Sequence, residues 1–319
     1  MINIKRILCP TDLSLHSGTA VRYALALACA HEAEVLLLYC QPDSSAASLE
    51  GKSGIHQAQL LQATLFEHLD PSDLAGLRWR FVVAHTDDIG EEIARCAQAE
   101  AVDLIVMRSR RRPHRAALLG STAESVCRSA PCPVLVMHND ERDWVHNGLR
   151  IDLKRILVAY DFSDFSELAL KYGLSLAQEH QAELHLLHVL PPRSLNEPEI
   201  AWYPSTIESP YHIGARRLQR AVPAEVHLWC EIKTVVREGH PYREILNYAE
   251  KNEIDLISVG AHGAGFGMCA LFGSNVDRVL RQAPCPVVVA RPLKPTVTLT
   301  RLQDLQGAKL DPVHSTTAV

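Results

Sequence analysis

Gly260, Gly263, Gly273 and Ser274 are spaced G-x-x-G-x9-G-S, a pattern that suits a cradle for nucleotide phosphates. Glycines let the backbone approach an anion closely and take up positive φ. The run follows an apolar stretch, Asp255–Val259, that reads as a buried parallel strand. It precedes Val276–Leu280, whose apolar spacing suits a helix. Ser274 falls where that helix would be capped, so the first unpaired N–H groups would point at whatever fills the loop. An ordinary glycine-rich surface loop is the alternative, and His262 within it reads as solvent-facing.

The elements that would position these residues occur twice. Lys5-Arg6-Ile7-Leu8 returns as Lys154-Arg155-Ile156-Leu157, and Asp12-Leu13-Ser14 as Asp161-Phe162-Ser163, both at an offset of 149. Asp103-Leu104-Ile105 matches Asp255-Leu256-Ile257 at 152, and Ala130-Pro131-Cys132-Pro133-Val134 matches Ala283-Pro284-Cys285-Pro286-Val287 at 153. So small a drift means duplication. The period exceeds the ~20–50 residues of solenoid repeats, so each copy is expected to be a domain: 1–138, a polar linker over 139–153, 154–292, and a loose tail over 293–319.

The chain has 319 residues, 47% of them hydrophobic and 22% charged, as in an ordinary globular protein. A formal net charge of −5 argues against whole-surface nucleic-acid binding. No apolar run reaches a membrane span, and the N-terminus enters a strand without a signal-peptide pattern. The nine cysteines include no CxxC pair. Zinc is therefore not expected, no metal site is assigned, and buried, reduced thiols of a cytoplasmic protein are.

Repeat 2 reads as alternating strands and helices. Strands are expected at Arg155–Tyr160, Ala182–Leu190, Val226–Val236, Asp255–Val259 and Val287–Ala290. Helices are expected at Ser166–Glu179, near Ile213–Val222, and at Tyr242–Asn252 and Ser274–Gln282. Such alternation predicts an α/β fold with a parallel sheet covered on both faces. Ligands of these sheets bind beyond the carboxyl ends of the strands, where strand order reverses.

With both Ala-Pro-Cys-Pro-Val runs and the complete glycine motif in view, the chain resembles a tandem universal stress protein over residues 3–137 and 154–292. The resemblance implies two Rossmann-like domains, each a five-stranded parallel sheet, paired through their last strands as a pseudo-dimer. It implies an adenine nucleotide, ATP or AMP with or without Mg, as ligand, and a stress-response regulator rather than a metabolic enzyme. Carried over by motif, Gly260, Gly263, Gly273, Ser274 and Asn275 would hold the phosphates, with Val259 leading into them. Asp161 would face the nucleoside, and the backbone of Val189 would meet the adenine. Asp161 also reads as a helix N-cap. Tyr160 stands where members usually carry a smaller residue.

Repeat 1 keeps Gly120-Ser121, but Arg108 and Arg111 replace the first two glycines of the motif, among five arginines within eight residues. Side chains there would bar close backbone approach, so no ATP is expected in this copy. Guanidinium forks suit phosphate or carboxylate, which makes Arg108, Arg111, Gly120 and Ser121 a candidate anion site; a solvated basic loop is the bland reading. Nucleic acid is not expected, since no aromatics interleave for stacking.

No P-loop lysine, nucleophile elbow or Ser-His-Asp pattern is present, and no catalytic residue is assigned. The leading reading is a nucleotide-binding regulator with one competent site, in repeat 2. A slow ATPase and a nucleotide-independent interaction protein are the alternatives. A homodimer or a separate protein partner is compatible with all three.

Overall fold

The computed structural model describes residues 2–41, 76–109, 120–138, 141–146, 149–192, 209–262 and 273–291. Gly263, Arg111 and the 293–319 tail lie outside them. Repeat 1 supplies β1 (Arg6–Pro10), α1 (Gly18–His31), β2 (Glu34–Gln41), β3 (Arg78–His85), α2 (Ile89–Ala99), β4 (Leu104–Arg108), α3 (Ser121–Ser129) and β5 (Val134–Met137). A short hairpin of β6 (Val145–His146) and β7 (Arg150–Ile151) follows. Repeat 2 supplies β8 (Arg155–Ala159), α4 (Asp164–His180), β9 (Glu183–Leu190), α5 (Pro210–Ala221), β10 (Ile232–Glu238), α6 (Pro241–Lys251), β11 (Leu256–Gly260), α7 (Ser274–Gln282) and β12 (Val287–Ala290).

The strands form one ten-stranded sheet in the order β10-β9-β8-β11-β12-β5-β4-β1-β2-β3. Within each five-stranded half every pair is parallel. The halves meet through the antiparallel pair β12–β5, with Val287, Val288 and Val289 opposite Val136, Leu135 and Val134. This is the expected pseudo-dimer. The near-continuous apolar strands, such as Leu256–Gly260, suit a sheet buried on both faces. Each face carries an apolar layer that crosses the seam, one including α1 and α4, the other α3 and α7.

The repeated aspartates have a structural use. Asp103 Oδ2 accepts the backbone N–H groups of Lys5 and Arg6, and Asp255 Oδ2 accepts those of Lys154 and Arg155. Each thus ties the start of a first strand to the fourth.

Two expectations change. The strand expected at Val226–Val236 begins only at Ile232, because Ala224–Leu228 forms a 3-10 turn behind Pro223. Proline fixes φ and lacks the N–H a ladder needs, and Val226 is apolar because it is buried under the turn, not because it lies in a strand. The stretch read as a polar linker is packed structure. Trp144, Val145, Leu149 and Leu153 are buried, and Trp144 meets Tyr23 of α1 edge to face at 4.5 Å. Tyr23 donates to Asp143 and accepts from the Trp144 N–H. Arg22 donates to Asp143 and to the Val145 carbonyl. On the other side Arg142 donates to the carbonyls of Ala249 and Ile254 in repeat 2. Residues 141–146 and 149–153 therefore clasp both repeats.

Of the eight cysteines among the described residues, six are buried, Cys40 is half-buried and Cys29 is exposed. Burial pushes the thiols of Cys9, Cys127 and Cys132 up to about 12, so they stay protonated and unreactive. No described helix is long and apolar enough to cross a membrane.

Candidate functional site

In repeat 2 the strand order reverses between β8 and β11, which are neighbours although two strands, β9 and β10, lie between them in sequence. Asp161 lies just past the end of β8, and Gly260 ends β11. Val259 is buried one residue earlier. Val189 lies one strand further out, near the end of β9. The expected residues thus gather at one carboxyl edge, at the switch point.

Asp161 shapes its own loop. Its Oδ1 accepts the Ser163 N–H at 3.1 Å and the Ser163 hydroxyl at 2.6 Å. This turn places Phe162 at a φ of 65°. Ser163, rather than Asp161, caps α4, its hydroxyl accepting from the Ser166 N–H. Repeat 1 copies the turn, with Asp12 Oδ1 accepting from Ser14 at the same two distances and Leu13 at a φ of 64°. Tyr160 is no obstruction: its ring is buried and its hydroxyl donates to Glu167 on α4 at 2.6 Å.

The glycine corner closes against this loop. Gly273 is the N-cap of α7, and Ser274, expected to be the cap, is its first helical residue. No side chain among the described residues caps the helix. The first intrahelical bond into this turn runs from Asp277 N–H to the Gly273 carbonyl, so the amides of Ser274, Asn275 and Val276 are the helix's orphan donors. Ser274 and Asn275 are exposed. A Cβ on Gly273 would make only ordinary contacts, 3.6 Å to Val276 Cγ2 and 3.8 Å to the Ala261 carbonyl oxygen. Gly260, by contrast, is pressed against Phe165 in the first turn of α4. His262, expected to face solvent, is half-buried with its ring 5.0 Å from that of Phe165.

Sequence reasoning missed the aromatic wall beside Asp161. The Phe162 ring lies 5.1 Å from Tyr160 and 4.6 Å from His188, and the Arg217 guanidinium sits 3.7 Å over its face. His188 shares a 2.8 Å hydrogen bond with the Tyr160 carbonyl, and burial holds its imidazole below the usual range. Arg217 comes from α5, in a part of the repeat that carries no motif. Its only sequence signal is a run of basic residues on a helix of mixed polarity.

In repeat 1 the corresponding corner differs. Arg108 ends β4 where Gly260 ends β11. The first helical turn beneath it is displaced: Leu15–Ser17 forms a 3-10 turn and α1 begins only at Gly18, whereas α4 begins at Asp164. Gly120 caps α3, its N–H donating to the buried Ser109 hydroxyl at 3.3 Å, and Ser121 is the first helical residue. Of the candidate anion site, Arg108, Gly120 and Ser121 lie at this edge; Arg111 is outside the described residues.

A model of the Universal stress protein family matches this chain twice, over residues 3–138 and 152–291. Universal stress protein YxiE of Bacillus subtilis is 30% identical over 148 residues, 43% of this chain and 98% of its own. A universal stress protein of Mycolicibacterium smegmatis is 25% identical over 309 residues, 90% of this chain and 97% of its own. Among solved structures, a universal stress protein from Archaeoglobus fulgidus superposes with a TM-score of 0.62 at 25% identity, covering 90% of this chain and 98% of that one.

Proposed function

The chain belongs to the universal stress protein family, and from that premise we propose that it is a stress-response regulator that binds an adenine nucleotide, ATP or AMP, in repeat 2 alone. The observation that carries this reading is the corner where β11 turns into α7. A Cβ at Gly273 would meet only ordinary contacts, and the orphan amides belong to the exposed residues Ser274 and Asn275 at the positive end of the α7 dipole. A phosphate chain fits there, with Gly263 in the intervening loop as a further contact. The Asp161 carboxylate would accept from the ribose hydroxyls, and the Val189 backbone would meet the adenine. The wall of Phe162, His188 and Arg217 supplies an aromatic face and a cation beside them. Magnesium, where ATP brings it, would be held by the phosphates themselves.

The protein's role in this reading is to bind and to respond, not to turn the nucleotide over. Repeat 1 serves as the paired scaffold, its β4 ending in Arg108 in place of a glycine. The buried, protonated thiols suit a cytoplasmic setting. The test is nucleotide binding by calorimetry on the full chain: one ATP or AMP per chain, weakened at least tenfold by Asp161→Asn, which keeps the turn acceptor and removes the charge. Equal binding by that variant, or two nucleotides per chain, would contradict the assignment.

A further inference from the structure

The C-terminal ends of α1 and α4 meet at the repeat junction. Their last residues, His31 and His180, are equivalent positions, 149 residues apart. The pairing of β5 with β12 brings the two copies of this helix end together, and Glu179 stands beside them. Its Oε2 lies 3.2 Å from His31 Nδ1. One ligand atom from each of the three residues lies within 4.8 Å of the other two.

Nε2 of His31 and Nε2 of His180 are both buried with no hydrogen-bond partner among the described residues. A buried ring nitrogen without a partner on each of two clustered histidines calls for an explanation. The surroundings say which kind. Two helix C-termini converge here, and their free carbonyl ends favour a cation. His31 also borders an apolar cleft lined by Leu27, Trp144, Tyr172 and Leu176, which limits competing water on that side.

We propose that His31, His180 and Glu179 form a binding site for a zinc-like divalent cation that staples repeat 1 to repeat 2. Two imidazoles and a carboxylate suit zinc or a similar first-row ion, whereas magnesium and calcium prefer all-oxygen sets. Three protein ligands leave a fourth tetrahedral position for water. Ligand atoms around tetrahedral zinc sit about 3.3 Å apart, so the set must contract on binding. Glu179, whose side chain is 27% exposed, has the freedom to do so. The lack of a CxxC pair is no bar, because the ligands come from the ends of two helices in different repeats.

The test is titration of the metal-stripped full chain with zinc against a chromophoric chelator, repeated with cobalt. One ion per chain is expected, with cobalt visible absorption and no thiolate charge-transfer band. His31→Gln and His180→Gln should each lower zinc affinity at least tenfold and abolish the zinc-induced rise in melting temperature. Because buried histidines also contribute to packing, Glu179→Gln provides a second arm. It should weaken zinc binding while leaving the metal-free melting temperature unchanged. Cys29→Ser should change nothing. No binding at micromolar zinc, full affinity in either histidine variant or in Glu179→Gln, or a thiolate band lost in Cys29→Ser would each overturn the site.

Discussion

Gly260 and Phe165 are in such close contact that a Cβ at position 260 would stand 2.6 Å from the Phe165 carbonyl carbon. The first glycine of the motif is thus demanded by the packing of α4 on β11, with or without a ligand. Gly273 has no such constraint among the described residues.

The two glycines should therefore separate on substitution. Gly260→Ala is expected to destabilise the unliganded protein by about 1–3 kcal/mol, the usual cost of overpacking. Gly273→Ala should leave unliganded stability within about 0.5 kcal/mol but reduce the stabilisation by ATP, about 2.7 kcal/mol for the native chain at 100 times its Kd. Denaturant melts with and without ATP measure both. An intact ATP response in Gly273→Ala would place the phosphates elsewhere.

Arg108→Ser in repeat 1 should leave the ATP response unchanged if, as proposed, the nucleotide binds in repeat 2 alone. A lost or doubled response, read in the same melts, would assign nucleotide to repeat 1.

The clasp should be costly to break. Trp144→Ala removes a ring that is 2% exposed and is expected to cost about 3–5 kcal/mol. Hydrogen exchange should report the loss in α1 and in β6–β7; loss confined to the hairpin alone would mean that it decorates the repeats without joining them.

Asp143 gives the clasp an acid limit. Burial works against its charge, but hydrogen bonds from Arg22, the Val145 N–H and Tyr23 outweigh it and hold the carboxyl below the usual range. Its stabilising contribution is therefore complete above the unfolded-chain value of about 3.9 and is lost as pH falls below that value through the lower folded one. Asp143→Asn should be less stable than the native chain at pH 6, and the difference should shrink between about pH 4 and pH 2. A gap that stays constant across that range would refute the attribution.

Much of this architecture was legible in the residues, because buried parallel strands are continuous apolar runs and the duplication marks their register. Ile156–Val158 and Val287–Ala290 needed no more than that. The seam was legible too, since a fully apolar last strand such as Val134–Met137 needs a partner. The clasp was not: Trp144 and Val145 sit among Glu141, Arg142, Asp143 and His146, and only the fold shows that Asp143 turns toward α1 and Arg142 toward α6. Val226 misled because burial beneath a turn looks the same in sequence as burial in a strand. At the site, the gathering of Asp161, Gly260 and Gly273 was legible from the motif. The wall of Phe162, His188 and Arg217 was not, because its members come from three elements at spacings that carry no pattern.

The β5–β12 seam also changes what dilution can do. Two separate copies joined by such a strand pair would part as their concentration fell. Here the partner is tethered, at an effective concentration in the millimolar range for a short connection, so the seam stays closed however few molecules a cell holds. Because neither half must also pair with a copy of itself, each is free to change alone. A substitution such as Arg108 for glycine alters one corner of the assembly where, in a symmetric pair of identical chains, it would alter both.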